Sequence, residues 1–217
     1  MSFSDVRLKE EERVALLYRY ERSLWEKGYF LVAGVDEAGR GPLAGPVAAA
    51  AVVFSGEVFI EGLNDSKKLT SRRRELLAEE IKAKALAWNV VFVSEDYIDR
   101  CNILEASREA MRRAVRGLPV KPHHVLVDGP NIPALSFPQT ALVKGDTLSA
   151  SIAAASILAK VARDHYMEEL HARYPYYGFD RHKGYPTSQH LQALQEKGPC
   201  PCHRRSFAPV KKLLPGR

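Results

Sequence analysis

Cysteine is scarce in this sequence, which contains three cysteines among 217 residues. Three cysteines in a chain of this length cannot supply the disulfide framework on which small secreted domains depend. The sequence also lacks the apolar run of roughly 18 residues that a membrane-spanning helix requires. Its first residues mix charged and apolar side chains and do not resemble a secretory signal. We therefore expect a cytoplasmic protein that makes no membrane contact.

Positive charge is more abundant than negative charge. The formal net charge is +6, and basic residues cluster along the whole chain, at residues 67–68, 72–74, 181–183 and 203–205. This balance suits a polyanionic partner, because neutralised phosphates release their counterions. The same clusters are compatible with an ordinary solvated surface, so charge alone does not decide the function.

Hydrophobic residues make up 46% of the sequence, enough for one sizeable core. Short apolar runs that favour strands lie at residues 29–35, 47–54, 88–93, 125–127 and 140–143. Apolar periodicity predicts helices over residues 8–26, 71–86 and 96–116, from 147 past 166, and at 188–196. Three strands followed by strands alternating with helices predict a mixed α/β sheet flanked by helices. We expect a single domain with an N-terminal helix (1–28), a core (29–166) and a helical C-terminal extension (167–217).

Carboxylates follow three of the predicted strands at the point where each strand ends. Asp36 and Glu37 end the first run, and Asp128 ends the fourth. Asp146 lies shortly after the fifth run. Because ligands of open α/β sheets bind outside the carboxyl ends of the strands, these four side chains converge if the strands are neighbours. Each acid also has a structural interpretation, as an Asx turn for Asp128, a helix N-cap for Asp146 and loop surface for the first pair.

Clustered carboxylates repel one another and are costly to bury without a partner. A hard divalent cation removes this cost, and an oxygen-only ligand set favours Mg²⁺ or Mn²⁺ over zinc. Two such ions can activate a water molecule and stabilise the leaving oxygen in phosphodiester hydrolysis. The coincidence of the acids at three strand ends therefore predicts a metal site for phosphate chemistry.

A glycine-rich loop directly follows the first acidic pair. In it, Gly39 and Gly41 flank Arg40, and glycine permits a ligand to approach the backbone closely. The loop matches neither a dinucleotide-binding nor a Walker pattern, because the spacing differs and no helix is predicted after it. A tight turn between strands is the simpler interpretation, but the neighbouring acids favour contact with a sugar or phosphate.

These segments together resemble the signatures of the ribonuclease HII family. The resemblance is carried, in family order, by GVDEAGRGPLAGPV (34–47), NDSKKL (64–69), DG (128–129), KGD (144–146), SIAAASILAKV (151–161) with RD (163–164), HKGYPT (182–187) and HRRSF (203–207). It covers the chain from about residue 30 to residue 210. It implies a ribonuclease H-like mixed sheet flanked by helices, with a helical C-terminal extension.

The resemblance also implies site residues. Asp36 and Glu37, Asp128 and Asp146 match the family's catalytic, metal-binding carboxylates. In the family, these carboxylates hold two Mg²⁺ or Mn²⁺ ions when substrate is bound. The loop that senses the ribonucleotide 2′-hydroxyl, the group that distinguishes RNA from DNA, is matched by Gly39, Arg40 and Gly41. Tyr185 matches the aromatic residue that stacks on the sugar beyond the cleavage site, although a turn residue is the simpler interpretation. Candidate phosphate contacts, for which solvated surface is an equal alternative, are Lys67, Lys68, Lys144 and Lys183.

The activity implied by the resemblance is endonucleolytic. The enzyme would hydrolyse the RNA strand of RNA–DNA hybrids and nick DNA duplexes 5′ to embedded ribonucleotides. In-line attack of water, by a two-metal-ion mechanism, would leave a 5′-phosphate and a 3′-hydroxyl. The 2′-hydroxyl would be read and not used as the nucleophile. The expected partners are these hybrids and ribonucleotide-containing duplexes, and we expect a monomer.

Three other functions are compatible with parts of the sequence. The type HIII relative of the family carries an extra N-terminal domain and usually lysine in the glycine loop, whereas this sequence has Arg40 and one short helix before residue 29. A nucleic-acid-binding protein without catalysis has no use for clustered anions near phosphates. A metal-dependent phosphatase for small molecules would be expected to hold phosphate at a helix start, and it does not explain the scattered basic clusters.

One segment departs from the family pattern. Residues 200–203 read Cys-Pro-Cys-His, where the family leads us to expect a turn with proline and without cysteine. Two cysteines and a histidine suggest zinc, but the spacing is not that of a C-x-x-C motif and a fourth ligand is missing. We therefore do not expect a structural zinc ion, and the role of Cys200 and Cys202 stays open.

Overall fold

The computed structural model describes residues 3–214 and is built around a five-stranded sheet. The strands are β1 (Val32–Ala38), β2 (Val47–Val53), β3 (Ala87–Val93), β4 (His124–Asp128) and β5 (Gln139–Leu142). Their spatial order is β3-β2-β1-β4-β5. β2 pairs antiparallel with β1 and β3, whereas β4 pairs parallel with β1 and β5. The predicted mixed α/β sheet is therefore confirmed.

Helices cover both faces of the sheet and form the C-terminal part of the chain. They are α1 (Phe3–Leu17), α2 (Arg19–Trp25), α3 (Ser71–Lys84), α4 (Glu95–Cys101), α5 (Ile103–Arg116), α6 (Ala150–Arg173), α7 (Phe179–His182), α8 (Ser188–Lys197) and α9 (Ala208–Lys211). Short 3-10 turns lie at Ser66–Lys68, Gly145–Thr147 and Pro175–Tyr177. In the described part of the chain, no helix combines the length and the apolar character needed to cross a membrane.

The interior strand β2 is buried on both of its faces. Ala50 and Val52 pack in one hydrophobic layer with α1, α3 and α6. Ala49, Ala51 and Val53 pack in the opposite layer with α5. Successive strand residues point to opposite faces, so a strand covered on both sides has a continuous apolar sequence and no alternation.

A close contact between sheet and helix joins β1 to the start of α6. A Cβ atom at Gly34 would lie 2.2 Å from the carbonyl carbon of Ser151, so glycine alone fits there. Ser149 caps α6 by accepting a hydrogen bond from the amide of Ile152, and its hydroxyl donates to the buried carboxylate of Glu21 at 2.6 Å. α2 and β1 together therefore fix the position at which α6 begins.

Two predicted helices are each broken once. The helix predicted over residues 8–26 is divided at Tyr18, whose hydroxyl donates to the carbonyl of Val58 at 3.0 Å and accepts from its amide at 3.1 Å. The helix predicted over residues 96–116 is divided at Asn102, which has φ 74° and caps α5 with its side chain. Among residues other than glycine, asparagine is one of those in which a positive φ occurs most often. Both breaks coincide with residues that make individual side-chain hydrogen bonds, which hydrophobic periodicity does not report.

Parallel pairing brings the carboxyl ends of β1, β4 and β5 to one edge of the sheet. Asp128, the last residue of β4, lies opposite Leu142, the last residue of β5. β1 continues further than predicted and includes Asp36 and Glu37. The first acidic pair therefore belongs to the strand itself and not to the loop that follows it.

The C-terminal helices pack around a hydrophobic cluster of their own. This cluster includes Met167 and Leu170 of α6, Phe179 of α7 and Leu194 of α8. Because α6 crosses residue 166, it belongs both to the core (29–166) and to the extension (167–217). We keep this division of a single domain as a proposal.

Replacement of Gly34 by alanine tests the contact between β1 and α6. The added methyl group would meet backbone atoms of Ser151, which cannot move aside as a flexible side chain can. We expect Gly34→Ala to lower the free energy of unfolding by at least ~2 kcal/mol, as in overpacked cores. Urea denaturation followed by circular dichroism measures the change.

Gly41→Ala is the matched control for this substitution. A Cβ atom at Gly41 would meet the ring of Tyr185 at 3.4 Å, an ordinary van der Waals distance. We expect its stability to change by less than ~0.5 kcal/mol. Equal stability of Gly34→Ala and the wild type would show that β1 and α6 are not packed this closely.

Candidate active site

A cleft of about 350 Å³ opens at the edge where β1 and β4 end. Its lining combines acids, basic and aromatic side chains, serines and the glycine loop: Asp36, Glu37, Ala38, Gly39, Arg40, Gly41, Ser66, Lys67, Asp128, Ser156, Lys160, Arg163 and Tyr185. Most of the sequence-predicted site residues are among them. The structure therefore brings together residues that are far apart in the chain.

Asp36 is a buried acid of the cleft. Its Oδ1 accepts a hydrogen bond from the amide of Glu37 at 2.7 Å, and the hydroxyl of Ser156 on α6 also donates to its carboxylate. Burial, followed by the charges of Glu37 and Asp128, raises the pKa of Asp36 well above its usual value. Burial also raises the pKa of Glu37, although the guanidinium of Arg40 acts in the opposite direction. Both acids therefore carry a cost of desolvation and repulsion.

Asp128 and Asp146 are coupled through the turn after β5. The Oδ1 atom of Asp128 accepts a hydrogen bond from the amide of Gly145 at 2.6 Å, so this carboxylate holds the turn that carries Asp146. Asp146 is buried. Burial, followed by the charges of Asp65 and Asp128, raises the pKa of Asp146. The fourth predicted acid thus lies within the electrostatic field of the third.

The cations that contact these acids are loosely held. Arg40 Nη1 lies 3.6 Å from Glu37 Oε1, and Lys67 Nζ lies 3.7 Å from Asp146 Oδ2. The side chains of Arg40 and Lys67 are 50% and 80% exposed, respectively, and exposed ion pairs contribute little. Four oxygen-donor groups with so little internal neutralisation fit a hard divalent cation better than a set of salt bridges.

The glycine loop rests on the buried guanidinium of Arg204. It donates to the carbonyl oxygens of Gly39 at 2.6 Å, Arg40 at 3.0 Å, Gly45 at 2.9 Å and Pro46 at 3.2 Å. The loop therefore has a fixed backbone conformation that its own sequence does not dictate.

Arg163 of α6 supports the same loop from a second direction. Its guanidinium donates to the carbonyl oxygens of Pro46 at 3.1 Å, Ala44 at 3.1 Å and Lys183 at 3.0 Å. Gly39 has φ 99°, and a Cβ atom there would lie 2.0 Å from Nε of Arg163. Glycine is thus required at this position both by the backbone conformation and by the packed arginine.

No role is predicted from the sequence for either buried arginine, although both lie within the motifs that resemble the family. The same holds for Ser66, Ser156 and Lys160, which line the cleft. On α6, Ser156, Lys160 and Arg163 are spaced i, i+4 and i+7, so they share one helix face. That spacing is the signal in the sequence that points to them.

Tyr185 lies beside the glycine loop. Its ring is 3.4 Å from the position of a Cβ atom at Gly41, and the residue is 43% exposed. The exposed ring is available to a ligand in the cleft. The predicted aromatic contact and the predicted loop are therefore neighbours in space.

The four predicted lysine contacts differ in their positions. Lys67 lines the cleft, whereas Lys68 and Lys144 are exposed and lie outside its lining. Lys183 also lies outside the lining and pairs with Glu168 at 2.7 Å. The structure thus brings one of the four into direct contact with the cleft.

Both the sequence and the fold are similar to those of known proteins. The family model described as Ribonuclease HII matches residues 33–210. A ribonuclease HII from Desulfitobacterium hafniense is 53% identical over 210 residues, which cover 97% of this chain and 81% of that protein. One from Moorella thermoacetica is 58% identical over 198 residues, which cover 91% and 96%. The crystal structure of the ribonuclease H2 from Pyrococcus horikoshii OT3 is similar with a TM-score of 0.70 at 30% identity, covering 84% of this chain and 96% of that one.

Removing one charge from the acidic group is expected to stabilise the metal-free protein. The pKa values of Asp36, Glu37 and Asp146 are raised in the folded state. Their stabilising contribution is therefore fully present below the unfolded carboxyl pKa, about 4, and is lost as the pH rises through the folded values. With chelator at about pH 8, we expect Asp36→Asn to melt roughly 3–6 °C above the wild type, and the gap to shrink towards about pH 4.

Asp96→Asn is the control for this measurement, because Asp96 is an exposed acid in the first turn of α4. We expect it to melt close to the wild type at both pH values. A melting temperature of Asp36→Asn below that of the wild type at the higher pH would contradict the repulsion between the clustered acids.

Proposed function

This chain belongs to the ribonuclease HII family, and on that premise we propose that it nicks DNA duplexes 5′ to embedded ribonucleotides and cuts the RNA strand of RNA–DNA hybrids by a two-metal-ion mechanism. Membership of the family makes it a ribonuclease H that acts on the RNA strand. The observation that carries the finer proposal is the cleft, in which acids from neighbouring strands face a glycine loop and an exposed aromatic ring.

The proposed metal ligands and catalytic acids are Asp36, Glu37, Asp128 and Asp146. Their all-oxygen donor set, their burial and their mutual repulsion suit Mg²⁺ or Mn²⁺. When bound, two such ions supply activation of a water molecule and stabilisation of the leaving oxygen. The chain's own contribution is to hold the carboxylates in position. The hydroxyl of Ser156 orients Asp36, and the amide of Gly145 orients Asp128.

We assign recognition of the ribonucleotide to the glycine loop, Gly39, Arg40 and Gly41, together with Tyr185. Arg204 fixes the peptide groups of Gly39 and Arg40, so their orientation is set before a substrate binds. A preorganised polar site discriminates strongly against a substrate that lacks a hydroxyl, because a group of the site is then left unpaired. Tyr185 offers its exposed ring to the sugar beyond the cleavage site.

Arg40 and Lys67 are the cleft cations best placed to receive substrate phosphates. Each is loosely paired with an acid, at 3.6 Å and 3.7 Å, so a phosphate can replace that acid as the partner. Lys68, Lys144 and Lys183 are proposed as further phosphate contacts outside the lining. In-line hydrolysis leaves a 5′-phosphate on the ribonucleotide and a 3′-hydroxyl upstream.

The proposal also covers partners and location. A net charge of +6 favours association with nucleic acid, and the proposed partners are RNA–DNA hybrids and DNA duplexes that contain ribonucleotides. We propose that the protein acts as a monomer in the cytoplasm.

An end-labelled DNA duplex with a single ribonucleotide tests the chemistry and the site together. With Mg²⁺ or Mn²⁺, we expect the wild type to nick it once, 5′ to the ribonucleotide, and to leave an all-DNA duplex intact. Asp128→Asn keeps an oxygen that can accept the hydrogen bond from the Gly145 amide, but it removes the negative charge. We expect its cleavage rate to fall by more than about 100-fold. Replacing a residue that only hydrogen-bonds to a metal ligand already lowers metal affinity or activity by about 10–100-fold.

Asp96→Asn again serves as the matched control and should cleave at the wild-type rate, because it lies outside the cleft lining. Binding of nucleic acid without cleavage is the second candidate function, suggested by the net positive charge. It predicts tight hybrid binding by the wild type and no nick with either metal. That result would remove the enzymatic proposal.

Two substitutions of Tyr185 separate ring stacking from the effect of the hydroxyl group. Loss of a stacked ring costs about 1–3 kcal/mol, so we expect Tyr185→Ala to raise KM about tenfold or more. Tyr185→Phe keeps the ring and is expected to stay within about twofold of the wild type. Steady-state cleavage of the same duplex measures both. Wild-type kinetics in Tyr185→Ala would exclude stacking by this residue.

A further inference from the structure

A second group of potential metal ligands lies outside the cleft lining. Among the residues that the structure describes, Cys200, Cys202 and His203 have ligand atoms that all lie within 4.8 Å of one another. Cys200 Sγ is 3.0 Å from Cys202 Sγ and 3.1 Å from His203 Nδ1. Cys202 and His203 are buried, and Cys200 is half-buried. We propose that these three side chains bind one transition-metal ion of the zinc class, separately from the carboxylates and independently of the proposed function.

The hydrogen bonds around His203 leave its Nδ1 without a hydrogen, next to the thiol of Cys200. His190 Nδ1 lies 3.0 Å from the carbonyl oxygen of Tyr185, which can only accept, so this nitrogen carries the hydrogen. In the neutral ring, His190 Nε2 then accepts from His203 Nε2 at 3.0 Å. His203 Nδ1 is therefore left without a hydrogen, in agreement with the Cys200 amide that donates to it at 3.0 Å.

This arrangement is the one by which a neighbouring group fixes the tautomer of a metal-binding histidine. His190 is fully buried, so its hydrogen bond to His203 is shielded from water. An unprotonated His203 Nδ1 thus lies beside two sulfur atoms before any ion binds, and an ion would replace the hydrogen bond from the Cys200 amide. The sequence alone does not reveal this, because His190 lies thirteen positions earlier in the chain.

The donor set determines the class of ion. Thiolate and imidazole ligands select zinc and similar ions over Mg²⁺ and Mn²⁺. With Zn–S bonds near 2.3 Å and tetrahedral angles, two sulfur ligands lie roughly 3.8 Å apart. Binding therefore opens the turn at Pro201 by less than about 1 Å and releases the thiol protons to solvent. The fourth position is left to water, and the partial exposure of Cys200 gives the ion access.

The site adjoins the support of the glycine loop. The carbonyl oxygen of Cys202 accepts a hydrogen bond from the amide of Gly45 at 2.9 Å. The amide of Arg204, the residue after His203, donates to the carbonyl of Leu43 at 2.8 Å. An ion that immobilises this turn therefore also stabilises the position of Arg204. We expect the bound ion to raise the melting temperature of the whole protein.

Cobalt substitution tests the site in the full chain. Reduced, chelator-stripped protein is titrated with Co²⁺ as the probe. A tetrahedral ion with thiolate ligands gives intense visible bands and a thiolate-to-cobalt charge-transfer band, whereas an all-oxygen centre gives neither. We expect one such ion per chain and its displacement by one equivalent of Zn²⁺. A Zn²⁺-dependent rise in melting temperature should persist in Asp128→Asn, which separates it from binding at the carboxylates.

Variants of the three cysteines locate the ion. We expect Cys200→Ser and Cys202→Ser each to weaken Co²⁺ binding at least about 100-fold. Cys101→Ser is the matched control and should bind as the wild type, because Cys101 is a free cysteine at the end of α4, outside the group. Circular dichroism checks that each variant is folded. If Cys202→Ser, at the buried position, does not fold, Cys200→Ser alone tests whether the thiols bind the ion.

Two results would overturn the proposal. One is a charge-transfer band that survives in folded Cys200→Ser. The other is the absence of this band in the reduced wild type. That outcome includes a protein that is purified with a Cys200–Cys202 disulfide, detected by thiol titration, and that still binds no Co²⁺ after reduction. The latter result would assign the pair to redox chemistry.

Discussion

Parallel pairing of β4 with β1 and with β5 is the constraint on which the site depends. It places the carboxyl ends of three strands at one edge, and the acids at those ends are forced together. In the absence of a cation, burial first and repulsion from the neighbouring carboxylates second raise the pKa values of Asp36 and Glu37. The rest of the fold must therefore hold the edge closed against this repulsion. The strand β2, covered by hydrophobic layers on both faces, pairs directly with the segment of β1 that carries Asp36 and Glu37 and so anchors it to the core.

The helix α6 is the second organiser of the site. Its first turn is fixed against β1 by the absence of a side chain at Gly34. Once its start and direction are set, helical periodicity determines which later residues face the cleft. Ser156 then meets Asp36, Lys160 lines the cleft, and Arg163 reaches the glycine loop two turns further on. One close backbone contact thus positions groups across several turns of helix.

The sequence predicts the sheet because strands depend on local patterns, whereas the roles of the glycine loop and Tyr185 are predicted from the resemblance to the family. Apolar runs locate all five strands, and the acids follow from their positions relative to those runs. The break at Asn102 and the supporting contacts of Arg204 could not be predicted in the same way, because they depend on which backbone atoms lie nearby in the folded chain. The orientation of His203 is of the same kind, since it is set by His190 and not by its neighbours in sequence.

Positions 163 and 204 require arginine, because each side chain donates hydrogen bonds to several separate backbone carbonyls, which lysine cannot do. Between them, the two guanidinium groups donate seven hydrogen bonds, four from Arg204 and three from Arg163, to six backbone carbonyls, because both contact that of Pro46. A lysine ammonium has three donors at one point and cannot bridge this arrangement. Burial lowers the pKa of Arg163 to about 10 and that of Arg204 to about 9, values that still leave both charged at neutral pH. The glycine loop is therefore supported by two buried positive charges, which would add to the attraction that we propose Arg40 and Lys67 exert on a substrate phosphate.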